Sequence, residues 1–182
     1  MHLSPRSDTV TRGGRSRAAG FTLIELVIVI VLVSTLAAVA LDRLLLYQEL
    51  AEKAAMEYQA SALKSAVRMQ VAELMVKGRM REVSTLAGVN PMLLLEEFPQ
   101  NYVADPPHVP NAQRGGFWFY DDQTKEIVYQ LKLGRHFVAE GPDAIKQVRY
   151  RVVLMYPVKV LQQDAVLAQG ARLELSHSYR WF

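Results

Sequence analysis

Glu25 is the only ionisable residue in the 21 positions from Phe21 to Leu41. A carboxylate in an apolar helix costs about 2.5–3.5 kcal/mol at a bilayer centre and less near a helix end. Two placements make it tolerable. It can sit at headgroup level and complement the positive end of the helix dipole, worth roughly 0.3–1 kcal/mol, or it can meet a cation brought from outside the helix. A second group, Asp121, Asp122 and Glu126, sets three carboxylates close together in the chain, and calcium accepts such oxygen clusters. Their spacing matches no EF-hand, and a polar hairpin turn explains them without a metal, so no metal is expected.

The remaining candidates for chemistry are sparse. There is no cysteine, which excludes disulfides and thiolate sites. Of the 4 histidines, His108 near Asp105 lies in a proline-rich loop and reads as solvated, while His136 and His177 read as core or edge residues. Gly13-Gly14 and Gly115-Gly116 lack the following Gly-Lys-Ser/Thr of a phosphate loop. Arginines alternate with aromatics at Arg149-Tyr150-Arg151 and Tyr179-Arg180-Trp181, a pattern that can stack on single-stranded DNA. On a strand of period 2, however, the two residue types face opposite sides, giving a core aromatic and a solvated arginine. No catalytic residue and no cofactor is expected.

The elements that must position these residues follow from composition. The stretch from Phe21 to Leu41 is long enough, at about 30 Å as a helix, for one bilayer crossing. Before it, residues 1–20 are rich in Arg, Ser, Thr and Gly and form no apolar pattern. Arg6, Arg12, Arg15 and Arg17 against Asp8 account for the whole formal net charge of +3. The rest of the chain is near neutral, which removes the bulk electrostatic argument for nucleic acid. The clustered arginines also orient a crossing with its N-terminus in the cytoplasm. The small-residue site Arg17-Ala18-Ala19-Gly20 precedes the apolar run, the reverse of an ordinary secretory signal.

Read as one unit, Gly20-Phe21-Thr22-Leu23-Ile24-Glu25 followed by an aliphatic run resembles the type IV prepilin signature, shared by type IV pilins and the pseudopilins of type II secretion systems. The resemblance is specific from Gly20 to about Leu41 and rests on layout alone beyond that. It implies cleavage by a prepilin peptidase between Gly20 and Phe21, methylation of the new Phe21 amine, and a role for Glu25 in assembly. The implied partners are the prepilin peptidase, other pilin or pseudopilin subunits, an inner-membrane assembly platform and the membrane itself; nucleic acid is not among them. Ser34 and Asp42 stand where many relatives have glycine or proline, which predicts a stiffer helix. With the absence of cysteine, that points toward a minor pilin or a pseudopilin. The competing expectation is a periplasmic binding or enzymatic domain on a signal anchor that keeps residues 1–20.

The expected organisation is a cleaved leader (1–20), a transmembrane half-helix (21–41), an amphipathic half-helix (42–78), a proline-rich connecting loop (79–116) and an antiparallel strand region (117–182). No Gly or Pro interrupts Phe21 to Lys77, which predicts one helix of roughly 85 Å. Met56, Ala60, Leu63, Val67, Val71 and Leu74 form its buried stripe. Glu49 and Lys53 are expected as an i,i+4 ion pair on a solvated face, and Gly78 as the stop, with Lys77, Arg79 and Arg81 beside it. Asn90-Pro91 should open a short helical turn over Met92 to Phe98, while Pro99, Pro106, Pro107 and Pro110 forbid a central strand. Strands are predicted at Phe117–Tyr120, Glu126–Leu133, Val148–Tyr156 and Ala171–Trp181. The fold class is α+β: a long N-terminal helix on an antiparallel sheet of about four strands.

Overall fold

The computed structural model describes residues 22–104, 115–140, 145–157 and 168–182. The leader, the Gly20–Phe21 pair, Asp105, His108 and most of the unassigned stretch after Leu161 lie outside them. The chain divides into two compact units, Met1–Asp42 and Arg43–Phe182.

Helix α1 spans Leu23–Val76, as the uninterrupted run of helix formers requires. It ends one residue before Lys77 by a Schellman closure: Arg79 N–H donates to Leu74 O (2.9 Å) and Gly78 N–H to Met75 O (3.1 Å). Gly78 takes φ +66°, a conformation glycine adopts without penalty. At the other end Thr22 is the N-cap, its Oγ1 accepting from Glu25 N–H at 3.3 Å.

Two 3-10 turns follow, Met80–Leu86 and Pro91–Leu94. In the second, the Asn90 side chain accepts from Met92 N–H (3.0 Å) and Pro91 occupies the first position, so the predicted turn exists but closes at Leu94, short of Phe98.

Among the described residues seven strands follow: β1 Tyr102–Val103, β2 Phe117–Asp121, β3 Glu126–Gln130, β4 Phe137–Ala139, β5 Gln147–Met155, β6 Gly170–Leu175 and β7 Tyr179–Trp181. Five form one sheet in the order β1-β2-β3-β5-β6; β4 and β7 pair in a separate ribbon. Each of the strands β2, β3, β5 and β6 runs antiparallel to the next, with Trp118 opposite Tyr129 and Tyr129 opposite Val148. Only the short edge strand β1 runs parallel to its neighbour. The class is α+β, as expected from the order of patterns along the chain.

Alternation places Trp118, Tyr120, Ile127, Tyr129, Val148, Tyr150, Val152 and Leu173 in one core with Met56, Ala60, Leu63, Val67 and Leu74 of α1. Of the predicted helical stripe only Val71 is partly buried, packed against this core. A second α1 anchor is polar. Gln59 takes the indole N–H of Trp118 (2.5 Å) and donates to Asn101 (3.0 Å), whose amide reaches Gly116 O (3.1 Å).

Three expectations need correction. Strand β3 stops at Gln130 and does not reach Leu133, because the N–H groups of Lys132 and Leu133 leave the ladder and donate to the Glu52 carboxylate (2.6 and 2.7 Å). The single strand expected over Ala171–Trp181 is two. The pairing of β6 with β5 ends with Ser176 N–H on Arg149 O (2.8 Å), the chain bends, and β7 joins β4 instead. His177 is therefore exposed in the bend and does not share a face with Leu173 and Trp181. Finally, Glu49 is not on a solvated face: it is 3% exposed, and Lys53 pairs with Glu57 (3.9 Å).

Candidate functional site

In the first unit, every residue from Thr22 to Asp42 is exposed, including Leu23, Ile24, Val31 and Leu36. α1 is long and apolar enough to cross a membrane, and none of its apolar window is buried within the chain. A run of aliphatic side chains with no covering residues calls for lipid or a partner helix. The hydroxyl of Thr35 is satisfied inside the helix, donating to Val31 O at 2.8 Å, so it adds no unpaired polar group to that surface.

Glu25 occupies the third helical position, the Glu of a Thr-x-x-Glu capping pattern begun by Thr22. There its negative charge favours the helix N-terminus, and its side chain is exposed with no ion-pair partner among the described residues. Gly20 and Phe21 lie outside the described residues.

In the second unit, the polar centre that sequence reasoning missed is built on Glu49, Glu52 and Lys53 of α1. Glu49 Oε1 accepts from His136 N–H (2.9 Å) and from the Trp181 indole N–H (3.0 Å), and Oε2 lies 2.8 Å from His136 Nδ1. Glu52 receives Lys132 and Leu133 N–H together with Tyr129 O–H (3.2 Å), and Lys53 Nζ donates to Trp181 O at 2.8 Å. One helical turn thus satisfies the loop before β4 and the last strand at once. Burial pushes the Glu49 carboxyl up, but the backbone and ring of His136 and the Trp181 indole outweigh it and hold it below the usual carboxylate value. The signal was present in the sequence. Glu49 precedes Met56 by seven residues, and Met56 precedes Leu63 by seven, which places the carboxylate on the buried stripe.

The three carboxylates considered for calcium do not converge. Asp121 Oδ1 accepts from Gln123 and Thr124 N–H (3.0 and 3.3 Å), shaping the hairpin turn, and its Oδ2 is 3.4 Å from Arg149. Asp122 is exposed and pairs with Lys125 (3.4 Å). Glu126, 3% exposed, is held by Arg149 (3.1 Å) and Arg151 (2.9 Å). Burial raises the Glu126 carboxyl, and the two arginines bring it below the ordinary value. Asp121 shifts the same way, its turn N–H groups overcoming burial. Asp121 and Glu126, with Arg149 and Arg151, line a cleft of about 370 Å³ on the outer face of the sheet. Its charges are already matched to one another. Among the described residues no group of three His, Asp or Glu side chains could hold a metal ion.

The arginine–aromatic alternation resolves by face. Tyr150 and Trp181 are buried, whereas Arg149 and Arg151 turn outward to Glu126.

Along its solvent side, the second-unit part of α1 presents Tyr47, Ala51, Ala54, Tyr58, Ser61 and Ser65, all exposed and all uncharged, at spacings of three and four. This seam complements the buried stripe and offers helix-packing surface.

Residues 15–41 match the family described as the prokaryotic N-terminal methylation motif. The motif is of the prepilin type, found in type IV pilin-like substrates of prepilin peptidase, and it coincides with the exposed apolar start of α1. No curated protein and no solved structure matches the chain.

Proposed function

We propose that this chain is a structural subunit, a minor pilin or pseudopilin, of a type IV pilus or type II secretion-type filament assembled from the bacterial inner membrane. The observation that supports it is the combination at the start of α1: a methylation motif, wholly exposed aliphatic side chains, and one carboxylate in the first turn. In this reading the basic leader stays in the cytoplasm, prepilin peptidase cuts between Gly20 and Phe21 and the Phe21 amine is methylated. The strand domain is then periplasmic. Glu25 in low dielectric takes its positive partner from the terminal amine of an incoming subunit. The apolar helices then pack into the filament core and the sheets coat it.

Mass spectrometry of protein extracted from membranes of cells with active prepilin peptidase tests this. The expected species begins at Phe21 and carries one added methyl group. A chain that retains residues 1–20, as a signal-anchored periplasmic domain would, or one with an unmodified Phe21, overturns the reading.

A further inference from the structure

The β4–β7 ribbon is a sheet of its own, and its polar attachment to α1 runs through one buried carboxylate, Glu49, beside the Lys53 ammonium that donates to Trp181 O. We propose that Glu49 is a protonation-controlled latch: ionised, it holds the ribbon against α1, and protonated, it lets the ribbon loosen while the five-stranded sheet stays folded.

The geometry supports this in three ways. All the donors converge on Glu49 from the ribbon and the residue leading into it, His136 N–H and Nδ1 just before β4 and the Trp181 indole in β7. Bonds to a charged acceptor are roughly twice as strong as neutral ones, so one proton weakens all three together. A proton on Oε1 faces two N–H donors, so protonation there also sets donor against donor.

The other charged groups around the latch do not replace it. On α1, Glu52 is engaged by Lys132 N–H, Leu133 N–H and Tyr129 O–H, and Lys53 is bonded to Trp181 O and lies 5.9 Å from the Phe182 ring centroid. On the preceding loop, Lys132, Arg135 and His136 are exposed, as is Arg180 on β7. Of these four only His136 touches Glu49.

The chain contains its own control. It has 2 tryptophans, and Trp118 donates its indole N–H to the uncharged amide of Gln59, whereas Trp181 donates to Glu49. In the full chain in detergent micelles, labelled with 15N-tryptophan, the Trp181 indole signal is expected to shift and gain solvent exchange as pH falls from 7 through the carboxylate range, with Trp118 unmoved. In Glu49→Gln the Trp181 signal no longer follows pH there. If both indoles change together at one pH, or if Trp181 titrates unaltered in Glu49→Gln, the latch is overturned. Should the variant not fold, amide protection in the unaltered chain decides. Loss confined to β4, β7 and His136 at acid pH supports the latch, and loss shared by β2, β3 and β5 overturns it.

Discussion

Trp181 and Glu49, 132 positions apart, meet through an indole N–H donated to a carboxylate at 3.0 Å, with the indole 2% and the carboxylate 3% exposed. The bond ties the last strand to the helix that begins the second unit. Replacing Glu49 by Ala removes the acceptor and leaves the buried Trp181 indole N–H, and the part-buried His136 N–H, without that partner. Each orphaned donor costs about 1–3 kcal/mol. Urea denaturation of Glu49→Ala should therefore show a loss of at least about 2 kcal/mol, and Trp181→Phe, which removes only one donor and some packing, a smaller one.

How much of this was legible in the sequence depends on the element. The start of α1, its end at Gly78 and the β2–β3 hairpin follow from local rules, because a cap, a glycine stop and a polar turn act within a few residues. Glu49 did not follow, because its partners His136 and Trp181 come from distant strands, and Lys53 four residues on offered a sufficient local explanation. The split of β6 from β7 was hidden for a similar reason. Alternation continues from Leu173 to Trp181, and only the competition between β5 and β4 for pairing, with Trp181 drawn to Glu49, breaks the run. At Glu25 the reverse holds: the proposed assembly role comes from the motif around it, and its cap geometry alone would read as helix-dipole compensation.

Glu25→Val keeps the apolar run and the Thr22 cap oxygen, so it should still insert and be processed. It lacks the charge that would meet a neighbouring amine. Losing one charge-assisted contact of about 1.5–3 kcal/mol corresponds to roughly tenfold or lower incorporation. Comparing sheared filament and membrane fractions by immunoblot checks this, and equal incorporation would remove Glu25 from assembly.

Acid should destabilise the second unit in a defined window. Glu49, Asp121 and Glu126 all titrate below their ordinary values when folded. The unfolded chain therefore takes up protons first as pH falls, and stability drops with it. The contribution of these groups is complete above the unfolded carboxylate range, about pH 4–5, and is lost as pH descends through the lowered folded values. Urea midpoints measured from pH 7 to pH 3 should be flat at first and then fall. In Glu126→Gln the fall should be shallower and the neutral-pH stability about 1–3 kcal/mol lower, because Arg151 loses its charged partner and Arg149 keeps only Asp121, while both arginines keep access to water.

Leu63 lies fully buried at the middle of the helical stripe. Leu63→Ala leaves a cavity against the sheet and should cost about 2–5 kcal/mol, read as a lowered urea midpoint with an unchanged slope. Ser61→Ala, two residues away on the exposed seam, should be within about 0.5 kcal/mol of the unaltered chain. The contrast tests which face of α1 packs on the sheet.

Gly115 and Gly116, which carry no phosphate-loop signature, have a structural use. A Cβ on Gly115 would fall 1.9 Å from Leu131 O and 2.3 Å from Lys132 N, both backbone atoms that cannot swing aside. Gly116 takes φ +88° and donates its N–H to Gln130 O at 2.7 Å. The segment around Leu131 is itself fixed, since Lys132 N–H is held by Glu52 and Leu131 N–H donates to Lys146 O (3.1 Å). Relief of a Gly115→Ala clash must therefore displace either the start of β2, with Trp118 behind it, or the Glu52 contact. The expected loss is on the order of 2–3 kcal/mol or more, with the Trp118 indole signal shifted and that of Trp181 little changed. Gly116→Ala meets only ordinary van der Waals contact, with Lys132 Cβ at 3.5 Å, but has a positive φ, so it should cost only about 1–2 kcal/mol. A ranking in which Gly116→Ala is the worse of the two would mean that backbone conformation, and not close approach to Leu131, sets the need for glycine at this crossing.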